Sequence, residues 1–264
     1  MSFKLGVLAS GNGTDLGAIY TEMDEGKMPG IEVVIVISNK EDAPVLEKAR
    51  VRGLKAIFVD PKGKSKEEYD AELVRLMKEA TVDLVCLIGY MKILTPVFVS
   101  AFPRHIINVH PALLPKYGGN GWYGMKVHEG VLAAGEKESG MTIHFVDIGV
   151  DSGAMILQEK VAIEPGETPE SLRTKVLKLE KKAYPEAIRL IYRERKGTLG
   201  AGIPKIKNIE SVTIDRTASG VMPVRLLRRS FGKGVIWMED RILLGLKWGK
   251  TGGRKSRFWR RIWI

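Results

Sequence analysis

In the stretch INVHPALLPKY, Asn108 and His110 stand two residues apart at the end of an apolar run, and Pro111 and Pro115 follow. An amide donor beside an imidazole suits a reaction that builds negative charge on a carbonyl oxygen. Asn108 can donate a hydrogen bond to that oxyanion, and His110 can donate a proton or a charge-assisted bond. One such donor is worth about 3–4 kcal/mol of transition-state stabilisation. In an extended segment both side chains project to the same side, and the two prolines restrict the backbone that holds them. A strand-end histidine satisfied by neighbouring backbone would show the same pattern, so the residues alone leave both readings open.

Two other loops have chemistry-bearing composition. ASGNGTDL, residues 9–16, follows the first apolar run with small, permissive residues that let backbone N–H groups turn toward an anion at a helix N-terminus. It is neither the G-x-G-x-x-G fingerprint nor a Walker A loop, and a tight strand-to-helix turn would read the same way. Asp15 complicates the anion reading, because a carboxylate there repels phosphate unless it is turned away. DIGVDSG, residues 147–153, has two aspartates and two glycines. It is either a polar turn or the loop that brings Asp151 to His110, where a carboxylate raises the imidazole's pKa and fixes its orientation.

Other chemistries fail on inspection. No serine sits in G-x-S-x-G. The single cysteine, Cys86, excludes an internal disulfide or a cysteine-built metal site and reads as a core thiol. His105, His128 and His144 lack metal-ligand spacing, so no metal is expected. His144 reads as a packed strand residue, and His128 as a structural residue on a helix.

The elements that must position these loops follow from periodicity. KLGVLAS, IEVVIVIS, KAIFVD, VDLVCLIGY and HIINVH are strand-length and rich in Val and Ile. Between them lie helical patterns, such as Tyr69, Leu73, Leu76 and Ala80 in KEEYDAELVRLMKEA. Near-continuous apolar strands alternating with helices predict an α/β fold: an open, mostly parallel twisted sheet with helices on both faces. That places Asn108 and His110 at the carboxyl end of a parallel strand, where open sheets bind their ligands. SGMTIHFVD and AMILQEKVAI predict an antiparallel excursion joined through the 147–153 loop. A long helix starts at the N-cap Thr168, with Glu170 in its first turn, and runs to about Lys196. Its apolar face is Leu172, Val176, Leu179, Ala183 and Ile188, and Pro185 is expected to kink it.

The 264 residues carry a net charge of +11, which is unevenly spread. Residues 1–197 hold 27 Lys/Arg and 27 Asp/Glu, whereas residues 198–264 hold 15 and 4, with four of the five tryptophans. The sequence therefore divides into 1–197 and a basic Trp/Arg-rich C-terminal extension, 198–264. The start lacks a signal peptide's layout, and no apolar stretch reaches the roughly 20 residues of a spanning helix. A soluble, cytoplasmic protein is expected.

Taken together and in order, SGNGTDLGAI, ISNKEDAPVLEKA, KEEYDAELV, DLVCLIGYMKILTPVFV, INVHPALLPKY, GMTIHFVDIGVDSGAMILQ and AYPEAI resemble the phosphoribosylglycinamide formyltransferases, a folate-dependent family of purine biosynthesis. The resemblance covers about residues 3 to 195. It implies formyl transfer from 10-formyltetrahydrofolate to the amine of glycinamide ribonucleotide. It also implies Asn108, His110 and Asp151 as the catalytic group, with Asp151 holding His110 protonated. The substrate phosphate would rest on backbone at Gly13, Thr14 and Asp15, and the ribose on Glu180. The folate would lie along Met91, Lys92, Ile93 and Leu94, beside Asn108 and the loop Asp147, Ile148, Gly149, Val150, Asp151, with Lys66 near its polar end.

Three departures from the family pattern stand out. Asp15 replaces the common Asn, Lys66 replaces the common Arg and loses its bidentate fork, and GGNGWYGMK, residues 118–126, is longer than in the shortest members. A 10-formyltetrahydrofolate hydrolase and a methionyl-tRNA formyltransferase are the neighbouring readings. KYGGNGWYG replaces the Arg-Gly pair expected of the latter. In the extension, VIWMEDRILLGLKW suggests a hairpin, and GKTGGRKSRFWRRIWI would suit nucleic acid or an anionic membrane surface. An inactive scaffold that binds nucleic acid through this tail is the reading from a different class. The plainer reading is a non-family extension only loosely packed on the enzyme.

Overall fold

The computed structural model describes residues 2–197; the extension 198–264, including the expected hairpin and basic Trp-rich stretch, lies outside the described residues. The chain begins β1 (Phe3–Ala9), α1 (Thr14–Asp24), β2 (Ile31–Ser38), α2 (Pro44–Val51), β3 (Lys55–Phe58), α3 (Lys66–Glu79) and β4 (Leu84–Ile88). It continues α4 (Pro96–Ala101), β5 (Ile106–His110), α5 (Met125–Ala133), β6 (Glu138–Phe145), β7 (Met155–Ala162) and α6 (Pro169–Arg195). The five apolar runs read as strands are β1 to β5.

The strands form one sheet in the order β3-β2-β1-β4-β5-β6-β7. β1 to β5 pair in parallel, and β6 and β7 add antiparallel, as expected. Because neighbouring strands bury alternate residues on opposite faces, the sheet separates two apolar layers. Leu84, Cys86 and Ile88 of β4 enter a layer with Leu16 and Ile19 of α1, Val45 and Leu46 of α2, and Val176 and Ala183 of α6. Val85 and Leu87 enter the opposite layer with Tyr69 and Leu73 of α3 and Phe98 of α4. Cys86 is fully buried, and burial pushes its thiol pKa up, so it is a core residue as read.

α6 starts at Thr168, which accepts from Ser171 N–H. Ser171 rather than Glu170 completes the reciprocal cap. The helix is continuous through Pro185, which is buried. Leu172, Val176, Ala183 and Ile188 are buried, with Leu179 packed against them. Tyr184 is the helix's deepest anchor: its hydroxyl lies 3.0 Å from the carbonyl of Leu87 and 3.3 Å from that of Ile107. This ties α6 to β4 and β5, one turn from Glu180. No described helix is long and apolar enough to cross a membrane.

The strand order reverses between β1 and β4, and such switch points leave a crevice beyond the strands' carboxyl ends. The loops after β1, β4 and β5 meet there.

Candidate active site

One cavity of about 770 Å³ occupies this crevice. Its floor is the end of β5, its two ends are the loops after β1 and β4, and its remaining walls come from the 118–124 and 147–151 segments and α6.

At one end, Gly13 carries the chain from β1 into α1 with φ 61°, the left-handed region that favours glycine. A Cβ there would also lie 2.4 Å from Val45 Cγ2. No side chain caps α1, so its first N–H groups are left for an anion. Lys48 Nζ donates to the Asn12 carbonyl at 2.7 Å and Val45 N–H to the Gly11 carbonyl at 3.2 Å, which hold the loop against α2. Asp15 is only 4% exposed and its Oδ1 has no hydrogen-bond partner. Burial pushes its pKa up to about 6, against the opposing field of Lys181. Glu180, across the cavity on α6, is pushed up to about 8 by burial and by Asp15, with Arg173 opposing.

In the middle, Asn108 and His110 lie on β5 with the expected spacing. His110 is 4% exposed. Its Nε2 lies 2.6 Å from the Tyr117 carbonyl, which only accepts, so Nε2 carries the hydrogen. Its Nδ1 lies 3.3 Å from Asp151 Oδ2. Asp151 is thus delivered to His110. Burial lowers the His110 pKa by more than Asp151 and the Tyr117 carbonyl raise it. Each ring nitrogen thus faces an acceptor, the carbonyl of Tyr117 on one side and the carboxylate of Asp151 on the other. For Asp151, burial raises the pKa, but His144, His110 and the Gly119 N–H together bring it below the ordinary value, and the group is ionised. The Gly119 bond is 3.0 Å. Asp151 adopts φ 55°, rare outside glycine and a form of strain that gathers at working sites.

His144 is the residue that sequence reasoning set aside as packing. It is buried and lies opposite Asn108 in the β5–β6 register. Its Nδ1 faces the Phe145 carbonyl at 2.9 Å and so carries the hydrogen. Nε2 lies 3.3 Å from Asn108 Nδ2 and 3.6 Å from Asp151 Oδ1, so His144 sits between the amide and the carboxylate. Beyond His110, Thr142 Oγ1 donates to the Ala112 carbonyl at 2.7 Å and accepts from Leu114 N–H at 3.1 Å. Gln158 Nε2 donates to the Leu114 carbonyl at 3.1 Å. The proline-rich segment is therefore clamped from β6 and β7 as well as stiffened by its own rings.

At the other end, residues 91–94 form a ledge. Met91 and Ile93 are 57% and 64% exposed although both line the cavity. Ser10 Oγ accepts from Met91 N–H at 2.9 Å, joining the ledge to the β1 loop. Asp70 Oδ2 of α3 accepts from Thr95 N–H and hydroxyl at 2.6 and 2.7 Å, which closes the ledge at the start of α4.

The cavity gathers Gly13, Thr14, Asp15, Met91, Lys92, Ile93, Leu94, Asn108, His110, Asp147, Gly149, Val150, Asp151 and Glu180. Two expected members stand outside its lining. Lys66 is exposed on the first turn of α3, because Ser65 caps that helix and starts it there. Ile148 points to solvent at 68% exposure. Sequence reasoning missed Arg173, His128 and Trp122, which also line the cavity. Arg173, Leu177 and Glu180 follow the i, i+4, i+7 spacing of one helix face, a signal that was present. His128 on α5 is 2% exposed, with its pKa lowered to about 4 by burial and by Arg173 and His110. Among the described residues no His/Cys/Asp/Glu cluster suited to a metal occurs.

The open α/β sheet thus brings an amide, an imidazole and a carboxylate together at its switch point. The chain matches the formyl transferase family over residues 3–188 and belongs to that family. Among its relatives, the Arabidopsis thaliana protein named phosphoribosylglycinamide formyltransferase, chloroplastic, is 41% identical over 209 residues, 78% of this chain and 70% of that protein. The Drosophila melanogaster trifunctional purine biosynthetic protein adenosine-3 is 42% identical over 190 residues, 71% of this chain but 14% of that much longer protein. The crystal structure of glycinamide ribonucleotide transformylase 1 from Symbiobacterium toebii superposes with a TM-score of 0.69 at 42% identity, covering 74% of this chain and 89% of that one. The resemblance read from the sequence and the mostly parallel fold are both borne out.

Proposed function

We propose that the chain transfers the formyl group of 10-formyltetrahydrofolate to the amine of glycinamide ribonucleotide, a step of de novo purine biosynthesis. The observation that carries this reading is the convergence of Asn108, His110 and Asp151 between an anion-receptive helix start and an apolar ledge in one cavity. The kinship with proteins of that name supports the choice of substrates.

The ledge fits a reduced folate. Exposed Met91 and Ile93 offer apolar surface to a flat ring, and a few polar groups among apolar walls are what orient such a ligand. The folate supplies an activated formyl group. Asn108 donates to the carbonyl oxygen as the amine nitrogen bonds to the formyl carbon, and His110 Nε2–H is the second donor once the Tyr117 carbonyl gives way. As negative charge grows on that oxygen, the imidazole gains proton affinity, and Asp151 stands ready behind Nδ1. The bond from formyl carbon to the folate nitrogen then breaks. The amine loses one proton and the departing nitrogen takes one up, so the proton count balances, with His110 and Asp151 placed to relay it through water. Orientation and oxyanion stabilisation supply the rate, and the chain's described residues provide both.

At the opposite end, backbone at Gly13, Thr14 and Asp15 takes the phosphate, and Glu180 the ribose. These features would have no use in a hydrolase that needs only water. The catalytic domain is residues 1–197. Mass spectrometry of the product tests the reading: formylated ribonucleotide should accumulate with the wild type and fall sharply with Asn108→Ala. Free formate in place of the formylated product would overturn it.

A further inference from the structure

Between Lys116 and Trp122 a short segment touches both members of the His110–Asp151 pair. The Tyr117 carbonyl lies 2.6 Å from His110 Nε2, and Gly119 N–H donates to Asp151 Oδ2 at 3.0 Å. Tyr117 adopts φ 55°, a conformation that a residue other than glycine keeps only where its surroundings enforce it. Gly118 is packed so closely that a Cβ there would lie 2.4 Å from Leu114 Cδ2. The other end of the Tyr117 side chain is held by Glu136, in the turn between α5 and β6 and outside the cavity lining. Glu136 Oε1 accepts from the Tyr117 hydroxyl at 3.0 Å and from Lys116 Nζ at 2.9 Å. The Tyr117 ring also meets Trp122 edge-on at 5.3 Å, and Trp122 sits so near α5 that a Cβ on Gly130 would lie 2.3 Å from it. Of the two donors to Glu136, Tyr117 is the one joined to the site. The Lys116 side chain is 66% exposed, and an ion pair so open to solvent contributes little.

We propose that Glu136 is a positioning residue for formyl transfer: by holding the Tyr117 hydroxyl it fixes the segment whose carbonyl and N–H align His110 and Asp151. Glu136 acts only through Tyr117. When the formyl oxygen takes the Nε2–H from the Tyr117 carbonyl, the hydroxyl anchor keeps Gly119 on Asp151, and the carboxylate stays behind Nδ1. The inference rests on the proposed reaction and adds to it a residue that lies outside the cavity.

Steady-state kinetics and imidazole NMR of the full chain test it. Glu136→Ala and Tyr117→Phe should each lower kcat about fivefold, the contribution of one ordinary hydrogen bond. Both KM values should stay within about twofold of wild type, because no substrate contact is lost. The double variant should fall no further than either single one. In the same proteins the His110 titration should move down, since the Tyr117 carbonyl is one of the groups that raise it. Asp151, His144 and His128 also act on His110 and stay in place. Glu136→Gln, whose amide oxygen still accepts from the hydroxyl, should keep the wild-type rate and midpoint, and so should Lys116→Met. A wild-type rate in Glu136→Ala, additive losses in the double variant, or a lower rate with an unmoved His110 midpoint would overturn the positioning role. An equal loss in Glu136→Gln would do the same. Tyr117→Phe keeps the ring beside Trp122 and carries the test should Glu136→Ala fail to fold. The titration needs no substrate, so a wild type that transfers no formyl group would sink the proposed reaction while the NMR midpoints still decide the anchor.

Discussion

At Asp15, a carboxylate buried in the first turn of α1 makes folding stability depend on pH in an unusual direction. Its pKa rises from about 4 unfolded to about 6 folded, so between those values the folded chain binds more protons than the unfolded one. Stability therefore falls as pH rises through that window, and the cost is complete above it. Asp15→Asn removes the cost. The variant should melt higher than wild type at pH 8, and the gap should narrow toward pH 4. A melting series across pH checks this; an equal gap at pH 4 and pH 8 would contradict it. At Asn108, loss of the amide donor should lower kcat by about 10²- to 10³-fold with little change in folate affinity, as steady-state kinetics would show. Asp151→Asn should shift the His110 titration further down, since the carboxylate is the main influence raising it against burial; imidazole NMR reads the midpoint. Asn108, His110 and Asp151 were legible because residue type, spacing and strand-end position agree. The burial of His110 was not, because it depends on how β5 is covered, and no local pattern encodes that. His144 escaped for a related reason: its place opposite Asn108 depends on the β5–β6 register, set by contacts across 36 residues of chain.

The elements hold these groups in place through a few close contacts. In the 147–153 loop, a Cβ on Gly153 would meet the Phe145 carbonyl oxygen at 1.8 Å. Gly153→Ala must therefore move the loop that carries Asp151. Displacements of about 1 Å at a reacting centre can cost about 10²-fold, and a loss of that order in kcat is expected while the fold, followed by circular dichroism, stays intact. Full activity in that variant would mean that Asp151 needs no such placement. Tyr184→Phe keeps the packing of α6 but leaves the Leu87 and Ile107 carbonyls without the hydroxyl. A buried hydrogen bond of this kind contributes about 1 kcal/mol, and denaturant unfolding should show a loss of that size. Strands and helices were legible from their periods, and α6 to within a residue of its cap. The ledge at 91–94 was placed by resemblance, but what secures it was not visible. Asp70 reads as an ordinary polar residue on α3 until its bonds to Thr95 are seen.

For the whole molecule, the sheet order puts the β1, β4 and β5 loops at one switch point, and among the described residues none later than Glu180 lines the cavity. The family match ends at residue 188, while the excess positive charge belongs to residues 198–264. The chain ended at Gly197 should therefore keep formyl transfer within about twofold, as expected of a domain with its own core. The alternation of β and α stretches made this architecture readable, because each near-continuous apolar strand must be covered on both sides. The purpose of the basic extension was not readable, since its composition suits several surfaces equally. The account turns on the acceptor of the formyl group. The most direct measurement follows consumption of 10-formyltetrahydrofolate by the purified protein, with and without glycinamide ribonucleotide. The account predicts rapid consumption only when the ribonucleotide is present; consumption at the same rate without it would contradict the account.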